Sequence, residues 1–173
     1  MRLAIGQKPR RFDMLPEIKK ILFPTDFSDN SRAALYWALA MARRHNAFLL
    51  MMHVIEEPAA RVPYLEVYFS PEEWQNLQNR IKNQAVDNMK ARLTELCEAV
   101  KSEIPECPYV ADEMLVKKGN PVEKIIETAE EKQCDVIIMG STGAAHFSGM
   151  IMGSTARRVL RRSRVPVMVV PVK

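Results

Sequence analysis

Residues 135–172 read DVIIMGSTGAAHFSGMIMGSTARRVLRRSRVPVMVVPV. The first six, DVIIMG, form an apolar run of strand length, and the last eight, VPVMVVPV (165–172), form another. Neither run alternates, which marks strands covered on both faces. Between them STARRVLRRS (154–163) opens on hydroxyls, turns Val159 and Leu160 toward the core, and closes on arginines. Hydroxyls suit a helix start, and cations suit its end, where the backbone dipole is negative. A strand, a loop, a helix and a second strand in that order predict a parallel pair joined by a right-handed crossover.

The same alternation extends back to residue 19. KKILF (19–23) reads as a strand that should stop before Pro24, because proline has no N–H to give to a ladder. TDFSDNS (25–31) supplies helix-starting side chains, with Ser28 or Asn30 as the cap. In the helix that follows, Ala34, Trp37, Ala38 and Met41 recur at helical steps, and His45 and Asn46 suit its end. AFLLMMHVI (47–55) is a further buried strand, succeeded by an irregular connection with two prolines and with Tyr64, Tyr68 and Phe69. SPEEW (70–74) is a capping box with Pro71 at the first helical position. From Trp74 through Leu77, Ile81, Ala85, Met89, Leu93 and Leu96 to Val100 the apolar spacing is helical. That predicts an amphipathic helix of up to about 45 Å. YVADEMLVKKG (109–119) reads as a strand, and NPVEKIIETAEEKQC (120–134) as a helix capped by Asn120 with Val122, Ile125, Ile126 and Ala129 on one face. Five strands alternating with four helices define an α/β protein with a parallel sheet and helices on both faces.

Bulk composition narrows the function classes. An apolar fraction of 47% is ample for a core, and a net charge of +4 is too small to point to nucleic acid. The three cysteines, Cys97, Cys107 and Cys134, form no CxxC pair and are odd in number, so reduced buried thiols and a cytoplasmic location are expected. There is no apolar run long enough for a signal peptide or a membrane span, so no membrane partner is expected. Residues 1–16 carry Arg2, Lys8, Arg10 and Arg11 without periodicity and read as a flexible basic arm ahead of a domain at 17–173.

In an open parallel sheet, ligands bind outside the carboxyl ends of the strands, where the strand order reverses. Gly140 ends one strand there and permits close backbone approach, and Gly143 permits a tight turn with positive φ. Gly153, Ser154 and Thr155 open the last helix, where free N–H groups favour an anion. The spacing G-x2-G-x9-G-S, with hydroxyls at Ser141, Thr142, Ser154 and Thr155, is a sensible phosphate cradle. A P-loop lysine, a GxGxxG fingerprint and a GxSxG elbow are all missing.

With ILFPTDFSDNS, LLMMHVI, GNPVEKIIETAEEKQCDVIIMGSTG and GSTARRVLRRSRVPVMVVPV, the chain resembles a universal stress protein of the nucleotide-binding type over roughly residues 18–172. The resemblance implies a single doubly wound open sheet of five parallel strands in the order 3-2-1-4-5, as in adenine nucleotide alpha hydrolases. It implies ATP, ADP or AMP as ligand, with Mg²⁺ as an optional companion, and a regulatory role in stress response. Pro24, Thr25 and Asp26 would sit at the nucleotide, Asp26 near adenine or ribose; Val54 would meet adenine through its backbone, and Met139 would lie beside the base. Gly140 would approach the ribose, while Ser141, Gly143, Gly153, Ser154 and Thr155 would hold the phosphates. A homodimer through Val165–Val172 is also implied, and an apolar edge strand is independently a liability unless paired. The nine-residue insert AAHFSGMIM departs from the common pattern in carrying no Lys or Arg.

Other readings stand beside these. Asp26 could simply cap the first helix; His53 reads as a satisfied core or interface residue, and His146 as an exposed loop residue. Arg157, Arg158, Arg161, Arg162 and Arg164 read as a solvated face rather than a nucleic-acid surface. The functional alternatives are a slow ATPase using the same crevice, with Asp26 as its one well-placed carboxylate, and a dimerisation module with an empty pocket.

Overall fold

The computed structural model describes residues 15–56, 69–104, 111–143 and 152–171. The elements are β1 (Lys20–Pro24), α1 (Asp29–His45), β2 (Phe48–Ile55), α2 (Pro71–Glu103), β3 (Glu113–Lys118), α3 (Pro121–Glu131), β4 (Val136–Gly140), α4 (Ser154–Arg162) and β5 (Val167–Val170). All four strand pairings are parallel, and the sheet order is β3-β2-β1-β4-β5. β1 is therefore the strand at which the order reverses, paired through Leu22 to Leu50 on one side and to Ile137 on the other. The Asp135 carboxylate closes the amino end of this junction, accepting the backbone N–H groups of Lys19 and Lys20 at 2.8 Å each.

Alternation along the strands divides the core into two layers. Ile21, Phe23, Leu49, Met51 and Ile138 pack against α1 and the carboxyl-terminal part of α2. Leu22, Leu50, Met52, Ile137 and Met139 pack against α3 and α4. Burial on both faces explains why these strands read as unbroken apolar runs.

The helix starts follow their side chains. Ser28 caps α1, its Oγ accepting from Ser31 N; Ser70 and Glu73 complete the expected capping box; and Asn120 accepts from Val122 N and Glu123 N. Asn30, the alternative cap, lies inside α1, where its side-chain amide donates to Thr142 Oγ1. Asn46 ends α1 in the left-handed conformation, at φ 50°.

Several boundaries and faces differ from expectation. β1 includes Pro24, which pairs with Met52, because a proline costs nothing at a strand end where its N–H is not called on. β3 begins at Glu113 rather than 109: Asp112 leaves the strand pattern, and its carboxylate accepts from Leu49 N at 2.7 Å. β5 spans four residues rather than eight. Trp37 is 54% exposed, and the buried stripe of α1 is instead Ala34, Leu35, Ala38 and Leu39. Leu160 is likewise exposed at 46%, since Ala156 and Val159 already fill the one face of α4 that meets the sheet.

α2 shows the largest difference. Its 33 residues make a helix of about 50 Å, whereas a strand of eight residues covers only about 26 Å. Among its described residues only Leu93, Cys97 and Val100 are buried, and Ile81 is 61% exposed. The apolar stripe is real but longer than the sheet it could cover. No helix among the described residues is long and apolar enough to cross a membrane. Most of the expected basic arm, residues 1–14, lies outside the described residues, as do Cys107 and the loop segment 144–151 with His146.

Candidate functional site

At the carboxyl edge of the sheet, β1 leads into α1 on one face and β4 leads into α4 on the other. The chain parts there and leaves a cleft of about 390 Å³. Its apolar wall comes from Met52, Val54, Pro121, Ile125 and Met139. Its polar wall comes from the β1–α1 turn and the two glycine corners of the β4–α4 connection. All eleven residues singled out in the sequence line this one cleft: Pro24, Thr25, Asp26, Val54, Met139, Gly140, Ser141, Gly143, Gly153, Ser154 and Thr155.

The β1–α1 turn is held by its own side chains. Thr25 N donates to Met52 O, and the buried Thr25 hydroxyl lies 2.7 Å from Ser31 Oγ while accepting from Phe27 N at 3.1 Å. The Asp26 carboxylate accepts from Ser28 N at 3.1 Å and from Ser28 Oγ at 2.6 Å. Ser28 is also the α1 cap, so Asp26 supports the helix start while it borders the cleft. The two readings of Asp26 are compatible in one geometry.

Each glycine corner has its own steric reason. A Cβ on Gly140 would lie 3.1 Å from the backbone oxygen of Asn30, so α1 packs directly on the strand end. Gly143 was expected to adopt positive φ, but among described glycines only Gly119 does so. A Cβ at 143 would fall on the Asp26 Oδ2 position, so a side chain there would require the Asp26 carboxylate to turn aside. Gly153 sits at φ −70°, ψ 161°, a conformation open to any residue, and a Cβ there would meet Ser141 O and Thr142 Cα at an ordinary 3.4 Å. Its absence leaves an open channel between the two corners rather than relieving a turn.

The start of α4 is the chemically distinctive end. Gly153 N donates to Ser141 O at 2.7 Å, and as N-cap Gly153 has no side chain to offer the N–H groups of the first turn. Those donors, the hydroxyls of Ser154 and Thr155, and the positive end of the helix dipole favour an anion facing the cleft. Met152, at the end of the insert, packs on the α3–α4 core layer. The arginines of α4 are all exposed on its solvent side. Among the described residues, no group of three or more His, Cys, Asp or Glu side chains could hold a metal ion.

His53 and Glu56 also line the cleft, together with Ser31, Thr142 and Ala156. His53 sits on β2 next to Val54, and its Nδ1 lies 2.8 Å from Thr25 O. A carbonyl can only accept, so Nδ1 carries the proton. The residue before an expected backbone contact on a strand end was the available signal, but an apolar context made His53 look internal.

The family model of the universal stress protein family matches residues 17–171. Universal stress protein MJ0577 of Methanocaldococcus jannaschii is 30% identical over 157 residues, covering 88% of this chain and 94% of the relative. YxiE of Bacillus subtilis, also a universal stress protein, is 28% identical over 153 residues, covering 87% and 97%. The solved structure of MJ0577 superposes with a TM-score of 0.71 at 28% identity, covering 91% and 99% of the two chains. A universal stress protein crystallised in complex with cAMP shares the fold, with a TM-score of 0.60 at 19% identity over 90% and 98%. The parallel sheet in the order 3-2-1-4-5, the cleft at its reversal and these matches agree: the chain belongs to the universal stress protein family.

Proposed function

We propose that this protein binds an adenine nucleotide, ATP or its products ADP and AMP, and acts as a nucleotide-dependent regulator in a stress response rather than as a dedicated enzyme. The observation that carries the reading is that the Gly140–Gly143 corner and the glycine-capped start of α4 line one cleft. A phosphate chain fits beside Gly153, where no side chain intrudes, and at the first N–H groups of α4, to which the N-cap glycine offers no side-chain acceptor. An adenine ring suits the apolar wall of Val54, Ile125 and Met139, with the backbone of Val54 offering it polar atoms. Asp26 would meet the ribose or base. Asp26, Ser154 and Thr155 are oxygen donors of the kind that suit Mg²⁺ beside phosphates, where the ion would neutralise charge. The cAMP complex of a relative supports the ligand class, not the particular nucleotide.

The nucleotide-binding unit would be residues 17–173, with residues 1–16 as a basic arm, and a cytoplasmic location fits the absence of a membrane-length helix among described residues. A homodimer through Val165–Val172 is supported by the edge position of β5, which among the described residues has no strand on its outer side. The test is to denature purified protein, analyse the supernatant for adenine nucleotide, and repeat thermal melting with ATP, AMP and Mg²⁺. Ligand at a hundredfold excess over Kd should stabilise by about 2.7 kcal/mol. Neither released nucleotide nor a melting shift would leave a dimerisation module with an empty pocket. ADP accumulating at a rate abolished by Asp26→Ala would instead favour a slow ATPase.

A further inference from the structure

Three non-glycine residues among those described have left-handed φ: Phe27 at 63°, Asn46 at 50° and Gln133 at 54°. Asn46 and Gln133 follow helix ends, where this conformation is routine. Phe27 does not; it sits in the middle of the turn that carries Asp26. A bulky residue in this region is strained and persists only where its surroundings hold it. Here the surroundings are specific. Phe27 N donates to Thr25 Oγ1 at 3.1 Å, the His53 ring lies 4.7 Å from the Phe27 ring, and the Arg92 guanidinium stands 4.3 Å from the ring centroid. His53 in turn donates to Thr25 O at 2.8 Å, so the turn is held at Thr25 as well as at Phe27.

Arg92 comes from α2 and directly precedes Leu93, the first buried residue of that helix among those described. It is thus placed where the docked end of α2 gives way to the exposed part. We propose that Arg92 is a positioning residue for the cleft. Acting through the Phe27 ring, it holds the Thr25–Ser28 turn, and with it the Asp26 carboxylate, in the arrangement that a ligand meets. The placement of α2 and the occupancy of the cleft are then coupled: a shift of the helix loosens the turn, and a bound ligand that fixes the turn fixes the helix. The Phe27 ring packs against the α1–α2 core layer and carries the Arg92 cation as well.

This inference rests on the nucleotide reading for its ligand but has a ligand-free test of its own. The Kd for ATP and the amide exchange of Phe27 and Ser28 are measured for wild type, Arg92→Ala, Arg92→Lys and Phe27→Gly. A cation over an aromatic ring at an exposed site is worth enough to weaken binding about two- to fivefold in Arg92→Ala. Exchange at the two amides should rise by a similar factor without ligand. Arg92→Lys, which keeps a cation and a long stem, should stay near wild type. In the Phe27→Gly background, Arg92→Ala should change nothing further. Lower thermal stability with unchanged Kd and unchanged exchange would overturn the proposal and leave Arg92 a structural residue. If the wild type takes up no nucleotide, the ligand reading fails instead, and the exchange comparison alone decides whether Arg92 holds the turn.

Discussion

Replacing Gly153 by valine separates the stability of the fold from the use of its cleft. At φ −70° and ψ 161° a β-branched residue has no backbone penalty. Its Cβ would contact Ser141 O and Thr142 Cα at 3.4 Å, an ordinary van der Waals distance, and lie 3.8 Å from Gly143 N. The two methyl groups reach further into the channel between the glycine corners. Removing glycine restricts the unfolded chain and stabilises by about 0.4–1 kcal/mol, while crowding by the extra carbons costs about 1–3 kcal/mol. The net change should therefore be a loss of at most about 2–3 kcal/mol. At about 2–4 °C per kcal/mol for a chain of this size, the variant melts no more than roughly 12 °C below wild type. The ligand response should change far more. Wild type at a hundredfold excess of ATP over Kd gains about 2.7 kcal/mol, or about 5–11 °C, and Gly153→Val should gain none. Differential scanning fluorimetry with and without ATP reads both quantities. An ATP-induced shift as large in the variant as in wild type would refute the phosphate cradle, and a variant that does not fold would show the glycine to be architectural.

The remaining predictions concern the frame around the cleft. Gly140→Ala should destabilise without ligand, by about 1–3 kcal/mol in chemical denaturation, because its Cβ meets the backbone of Asn30 at 3.1 Å and backbone cannot swing aside. Ser28→Ala removes the α1 cap and the 2.6 Å hydrogen bond to Asp26, and should cost about 1–2 kcal/mol by the same measurement. Thr128→Val should stabilise by about 1 kcal/mol, since the Thr128 hydroxyl is buried without a partner and valine keeps its shape. Burial pushes the Cys134 thiol up to about 11 and raises that of Cys97, so the fold favours the neutral thiol at both sites. The contribution of Cys134 is complete below its ordinary 9.0 and is lost as pH rises through about 11. Peptide mapping after alkylation at pH 8.5 should find Cys97 and Cys134 unmodified in native protein and modified in denaturant; rapid native labelling would contradict their burial.

The sequence by itself determined the order and type of every element. Unbroken apolar runs and the caps at Ser28, Ser70 and Asn120 are local signals set by backbone hydrogen bonding, and each was legible within a few residues, whereas Pro24, expected to lie beyond β1, is its last residue. The eleven residues that the family resemblance singled out all line the cleft, which lies at the carboxyl ends of the strands, where a doubly wound sheet lets the chain part. Which face of a helix would be buried was not legible, since that depends on where the sheet ends. Trp37 and Leu160 keep helical spacing yet face solvent, and α2 carries an apolar stripe about twice as long as the strands that could cover it. Glycine roles were decided only in three dimensions: a side chain at 143 would displace the carboxylate of Asp26, a residue 117 positions away, while the φ of Gly143 is not positive. His53, Phe27 and Arg92 lie 26 and 39 positions apart along the chain, and no local pattern brings them together. The register of β1 against β2 places His53 beside the turn, and the docking of Leu93, Cys97 and Val100 places Arg92 over the ring. Local chemistry chooses the elements, but side-chain partners across the fold are chosen by packing, which no single segment contains.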